Sequence, residues 1–102
     1  MSVNSYTVRI TPEAESDLDE IWEYIAYELG SGESAFRIVD ELYGEIAKLS
    51  EMPKRFRIIN REPWKSREVR FMFVENYRVH YAIDEARKTV TVFRVMYYRT
   101  DA

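Results

Sequence analysis

Hydrophobic and polar positions alternate at both ends of the chain and recur at helical spacing between them. Tyr6, Val8 and Ile10 alternate with Thr7 and Arg9, which predicts a first short strand. Thr11-Pro12-Glu13 then reads as a helix start. Thr11 can cap free backbone N–H groups, Pro12 suits the first helical position, and early acids suit the positive end of the helix dipole. Ala14, Leu18, Ile21, Trp22, Ile25 and Leu29 make one apolar stripe, and Gly30-Ser31-Gly32 ends the helix tightly enough for a helical hairpin. The second helix sets Ala35, Ile38, Val39, Leu42, Ile46 and Leu49 on one side, with Pro53 as its stop. Residues 52–66 are irregular and basic. A strand is predicted over Arg67–Val74, with Val69, Phe71 and Phe73 on one face. Two further strands complete the pattern: Tyr77, Val79, Tyr81 and Ile83 alternate with polar or small residues, and after the polar turn 84–88 come Val90, Val92, Phe93 and Val95. The order β-α-α-β-β-β predicts an α+β fold, a helical hairpin packed on a small, mainly antiparallel sheet, as a single domain over residues 1–102.

The charge distribution sharpens this picture. Residues 1–51 hold Arg9, Arg37 and Lys48 against twelve acids, a balance of −9, whereas residues 52–102 hold twelve basic residues against six acids, a balance of +6. Such a split suggests two faces with different partners, or amphipathic helices with acidic, solvated outer sides. The basic half lines up cations and aromatics on or beside the last strands: Arg67, Arg70, Arg78, His80, Arg94, Tyr97, Tyr98 and Arg99. A sheet presenting these groups suits an anionic partner or an acidic peptide.

Composition excludes other chemistries. With no cysteine there are no disulfides or thiolate metal sites, and one histidine leaves no imidazole-rich ligand set, so neither metal nor cofactor is expected. The N-terminal residues lack a basic segment followed by an apolar run, and no run is long enough to span a bilayer, so the expected location is the cytoplasm, away from membranes.

Four segments carry a family resemblance. YTVRITPEAESDLDEIWEYIA, PWKSREVR, NYRVHYAID and TVTVFRVMYYRTD stand in the order and spacing of the first strand and helix, the segment before the strand pair, the central strand and the closing strand of RelE/ParE toxins. The chain therefore resembles the RelE/ParE superfamily of bacterial type II toxin–antitoxin systems, whose ParE-like members include plasmid stabilisation proteins. The resemblance implies a growth-inhibiting toxin neutralised by a cognate antitoxin. It can act as a homodimer or within a toxin–antitoxin hetero-oligomer. It also implies one of two targets: ParE-like members poison DNA gyrase, and RelE-like members cut mRNA on the ribosome. A member that binds antitoxin without being toxic is a third reading.

Metal-free RNA cleavage requires activation of a 2′-hydroxyl, stabilisation of the phosphorane charge and protonation of the leaving oxygen. Arg78, directly after Tyr77, matches a catalytic arginine position of RelE-like toxins. Arg99 matches a second one with a one-residue slip. Tyr98 or Tyr97 can stand for the tyrosine that RelE-like chains place in a C-terminal helix, and His80, sharing a face with Arg78, is a candidate acid or base. The lysine positions of that branch fall near Val69 and Phe71. In the gyrase-directed reading the chain is not an enzyme, and Arg67, Arg70, Arg94, Tyr97, Tyr98 and Arg99 become contacts to target or antitoxin. The acidic balance, with a pI near 5.2, favours a protein target over RNA.

Overall fold

The computed structural model describes residues 5–98. The expected element order is present: β1 (Thr7–Ile10), α1 (Pro12–Glu23), α2 (Gly32–Ala47), β2 (Arg70–Val74), β3 (Tyr77–Asp84) and β4 (Thr89–Tyr97). The strands form one mixed sheet in the order β1-β4-β3-β2, with β1 parallel to β4 and the other pairs antiparallel. The helices pack on one face of that sheet. Thr11 caps α1 by accepting from the Ala14 N–H, Ser31 caps α2 by accepting from the Ser34 N–H, and Gly30 turns between the helices at φ +66°.

The core follows the predicted stripes. Ala14, Leu18, Leu42, Ile46 and Leu49 from the helices meet Met72, Val74, Val79, Tyr81, Val90, Val92 and Val95 from the sheet, all buried. Tyr81 is the largest fully buried side chain, and its hydroxyl donates to the Pro53 carbonyl at 2.6 Å, so its one polar atom is satisfied.

Three details depart from the sequence expectation, each for a physical reason. Leu29, placed on the buried stripe by its spacing, is 61% exposed. A π turn over Tyr24–Glu28 continues α1 and inserts an extra residue, which swings Leu29 off the core side. The α2 helix ends at Ala47 rather than at Pro53; a 3-10 turn covers Lys48–Ser50, Met52 adopts a left-handed conformation (φ 49°), and Pro53 opens a separate 3-10 turn. The strand expected from Arg67 begins at Arg70. Residues 62–68 form turns in which the Glu62 carboxylate accepts from the Ser66 N–H and hydroxyl, and Glu68 sits at φ 53°. Phe73 and Phe93 are apolar residues of the strand pattern that stay outside the core. Both are exposed, because Phe73 lies on the sheet face away from the helices and Phe93 sits where the β3–β4 register shifts between His80 and Tyr81.

Candidate functional site

The face of the sheet away from the helices carries the chemistry. Register brings Phe71 opposite His80 and Phe73 opposite Arg78 across β2 and β3, and Arg78 opposite Met96 and His80 opposite Arg94 across β3 and β4. The Arg78 guanidinium lies 4.2 Å from the Phe71 ring centre and 5.6 Å from that of Tyr98, a cation held between two π faces. Tyr98 in turn packs on Phe73 at 5.1 Å, and Trp64, from the turn region before β2, meets His80 edge-on at 6.2 Å. His80 is 8% exposed. Burial first, then the positive charges of Arg78 and Arg94, push its pKa down to about 4, so the ring is neutral near pH 7. Among the described residues, Arg78 Nε and His80 Nε2 are buried polar atoms with no hydrogen-bond partner. A neutral imidazole beside a stacked guanidinium can hydrogen-bond and hold negative charge, but it is poorly matched to donating a proton at neutral pH.

Arg94 leaves this face and reaches around the sheet edge. Its Nε and Nη2 donate to the two carboxylate oxygens of Asp17 at 2.7 and 3.0 Å, and the Val95 N–H donates to the same carboxylate at 2.9 Å. The short β1 explains the arrangement. It pairs with β4 only as far as Val92; the Thr11 hydroxyl then donates to the Phe93 carbonyl, Asp17 on α1 takes up the Val95 N–H, and beyond these, among the described residues, that edge of β4 has no strand partner. Burial raises the Asp17 carboxyl, but the hydrogen bonds from Arg94 and Val95 and the Arg94 charge outweigh it and leave the pKa below the usual carboxylate range.

Beyond Asp17 the open edge of β4 borders a groove of about 920 Å³. Ile21, Tyr24, Leu29 and Ile38 line its helical wall, and Tyr77, Val95 and Tyr97 its sheet wall. The Tyr98 N–H donates inward to the Asn76 carbonyl, so by strand alternation the Tyr97 N–H points outward along the groove, as does Val95. Arg37, paired with Glu75 at 3.2 Å, closes one end.

The model of the family described as the ParE toxin of type II toxin–antitoxin systems, parDE, matches residues 8–102. The chain belongs to the ParE toxin family. No curated protein matches its sequence. Solved structures do resemble it, at this level of identity mainly in fold. A chain of the chromosomal ParDE toxin–antitoxin system from P. aeruginosa superposes with a TM-score of 0.76 at 18% identity, covering 94% of this chain and 99% of that one. A chain of the RelBE2 toxin–antitoxin complex from Mycobacterium tuberculosis gives 0.65 at 27% identity, covering 98% of each. A mutant of the E. coli toxin RelE in the free state gives 0.60 at 12% identity, covering 91% of this chain and 83% of that one. This ParE-family toxin therefore carries the predicted helical hairpin on a four-stranded sheet.

The candidate residues separate into groups. Arg78, His80 and Tyr98 come together on the open face. Arg94 starts there but is committed to Asp17. Arg70 stands on the opposite face, where its guanidinium donates to the Lys54 and Phe56 carbonyls at 3.1 and 2.6 Å. Arg67 is exposed in the turn region before β2, and Tyr97 lines the groove, stacked edge-on against Tyr77 at 5.7 Å. Arg99 lies outside the described residues. Sequence reading missed Asp17, Trp64 and the roles of Phe71 and Phe73. A signal for Asp17 was present: it sits among Ala14, Leu18 and Ile21 on the apolar side of a helix, where an unpaired carboxylate would be costly. Nothing in the local pattern around Trp64 marks it, because its partner lies sixteen residues away on β3.

Proposed function

We propose that this toxin arrests growth by binding DNA gyrase and is silenced by a cognate antitoxin that occupies the groove beside β4. The reading rests chiefly on the open face. Arg78 is the guanidinium packed there between aromatic rings, its neighbour His80 is neutral, and no lysine occurs in any of the four strands. That set can hold an anion, but it offers poor means to protonate a leaving oxygen, which mRNA cleavage requires. The acidic helices further disfavour an RNA target. An extended antitoxin segment would find the outward-pointing Tyr97 N–H as a strand-pairing donor and Tyr24, Leu29 and Tyr77 as apolar walls, while the exposed Arg67 attracts its acidic residues.

The test is to give the purified toxin gyrase with supercoiled DNA, and separately translating ribosomes with mRNA. We expect gyrase inhibition, with accumulation of cleavage complexes, and its retention in the Arg78→Ala variant. Ribosome-dependent mRNA cleavage that falls about a hundredfold in a folded Arg78→Ala variant would overturn the proposal in favour of the nuclease reading.

A further inference from the structure

The outer side of the helical hairpin, away from both the open face and the groove, carries a ridge of aromatic side chains in which Tyr27 and Phe36 are largely exposed and Trp22 and Tyr43 are partly covered. On α2, Phe36 and Tyr43 are seven residues apart and so share a flank. On α1, Glu15 and Trp22 share a flank for the same reason. The Tyr43 hydroxyl donates to Glu15 at 2.9 Å, which brings the two flanks together. Two turns back along α2 and two turns forward along α1 from that bond, an antiparallel pair brings the flank of Phe36 toward the flank of Trp22. Tyr27, thrown outward by the π turn, packs edge-on against Trp22 at 5.9 Å. Tyr27 is 74% exposed and Phe36 69%. Water therefore meets an apolar strip about two helical turns long.

The charge around this strip is of one sign. Residues 12–47 contain eleven acids and a single base, Arg37. Arg37 is turned away toward the groove, where it pairs with Glu75. Along the strip itself Glu15 and Asp19 are exposed; burial first, then the hydrogen bond to Glu15 and the charges of Glu15 and Asp19, push the Tyr43 hydroxyl up to about 12. A second copy of this chain would set acid against acid, and a nucleic acid would bring phosphates to carboxylates. Charge complementarity selects a basic occupant, and the length and width of the strip suit a helix.

We propose that the outer side of the hairpin is a docking surface for a cationic amphipathic helix of a partner protein. The apolar stripe of that helix covers Trp22, Tyr27 and Phe36, and its lysines or arginines reach Glu15 and Asp19. The inference holds whether the toxin's target is gyrase or the ribosome, because it depends only on the hairpin's own surface.

The experiment titrates the isotope-labelled full chain with a helical peptide of about 18 residues, leucine on one stripe and lysine elsewhere, and with a matched peptide carrying glutamate for lysine. We expect the lysine peptide alone to bind, shifting the signals of Trp22, Tyr27 and Phe36. Affinity should fall about tenfold or more in a Tyr27→Ser/Phe36→Ser double variant, which keeps every carboxylate. Both side chains are exposed, so the variant should retain the circular dichroism spectrum of the parent. Four results would each overturn the proposal. One is no binding of the lysine peptide below about 1 mM. Another is equal affinity in the double variant, the mark of general charge attraction. The third is a shift pattern centred on Tyr24 and Tyr97 in the groove. The last is self-association of the free chain through Phe36, which would make the occupant a second copy.

Discussion

The two faces of the sheet share their strands and behave as opposites. On the helix side, Met72, Val74, Val79, Tyr81, Val90 and Val92 are buried, and the polar atom of Tyr81 is bonded to the Pro53 carbonyl. On the other side, residues one position along the same strands give Phe71, Phe73, Arg78 and His80. There Phe73 is half exposed, and Arg78 and His80 each keep a buried nitrogen without a partner. The difference teaches what each face is built for. The first is packed and satisfied, which stabilises the fold. The second is aromatic and cationic and keeps two buried nitrogens without a partner among the described residues, so it contributes less to the fold.

Stability measurements can break this comparison. The largest effect should come from the helix side. Leu42 is fully buried in α2 against that face, and Leu42→Ala should cost about 3 kcal/mol, read as a lower urea midpoint with an unchanged slope. A cost below about 1 kcal/mol would mean that the helix–sheet interface is loosely packed.

Next comes a pH dependence that belongs to the open face. His80 has its pKa lowered from 6.5 to about 4, so between those values the unfolded chain binds a proton that the folded chain does not. Stability contributed by the neutral ring is fully present above pH 6.5 and is lost as pH falls toward 4, with a slope of at most about 1.4 kcal/mol per pH unit. Urea melts at pH 7, 5.5 and 4.5 check this, with His80→Gln as the reference that removes the titration. A parent and variant that lose stability in parallel would show that the ring is not shielded. The Asp17 carboxyl, whose pKa is lowered, loses its own contribution only at still lower pH, as pH drops through its folded value, so the two effects separate.

The smallest stability change should come from Phe73→Ala on the open face, within about 0.5 kcal/mol of the parent, because the side chain is half exposed. The same change removes the ring against which Tyr98 rests, at 5.1 Å, and so loosens one of the two rings that hold Arg78. Growth arrest that changes while stability does not would assign the open face to function. A loss of stability as large as that of Leu42→Ala would erase the distinction between the faces.

Much of the architecture can be read along the chain. The helix start at Thr11-Pro12 and the stripes Ala14–Leu18–Ile25 and Ala35–Leu42–Ile46 are visible because helical burial is periodic and capping is local. The alternation in 77–83 is visible for the corresponding reason in a strand. Where local chemistry competes with the period, the pattern misleads. The turns at 62–68 delay the strand expected from Arg67, and the π turn takes Leu29 out of its stripe. The candidate site is legible only in part: Arg78 and His80 share a face by simple alternation, but the fates of the other arginines do not follow from sequence.

What the sequence determined by itself were the elements, their order, the apolar sides and the split in charge, since each depends on residues within a turn or two of one another. What only the tertiary structure decided was which charges remain available. Arg94 is tied to Asp17, seventy-seven residues away, Arg70 is tied to the Lys54 and Phe56 carbonyls, and Arg78 rests between Phe71 and Tyr98. Trp64 against His80, and the groove between the hairpin and the open part of β4, depend equally on long-range packing. A side chain's partners are fixed by the register between strands and by how a helix lies across them. That information is shared among distant residues and is not written at any one position.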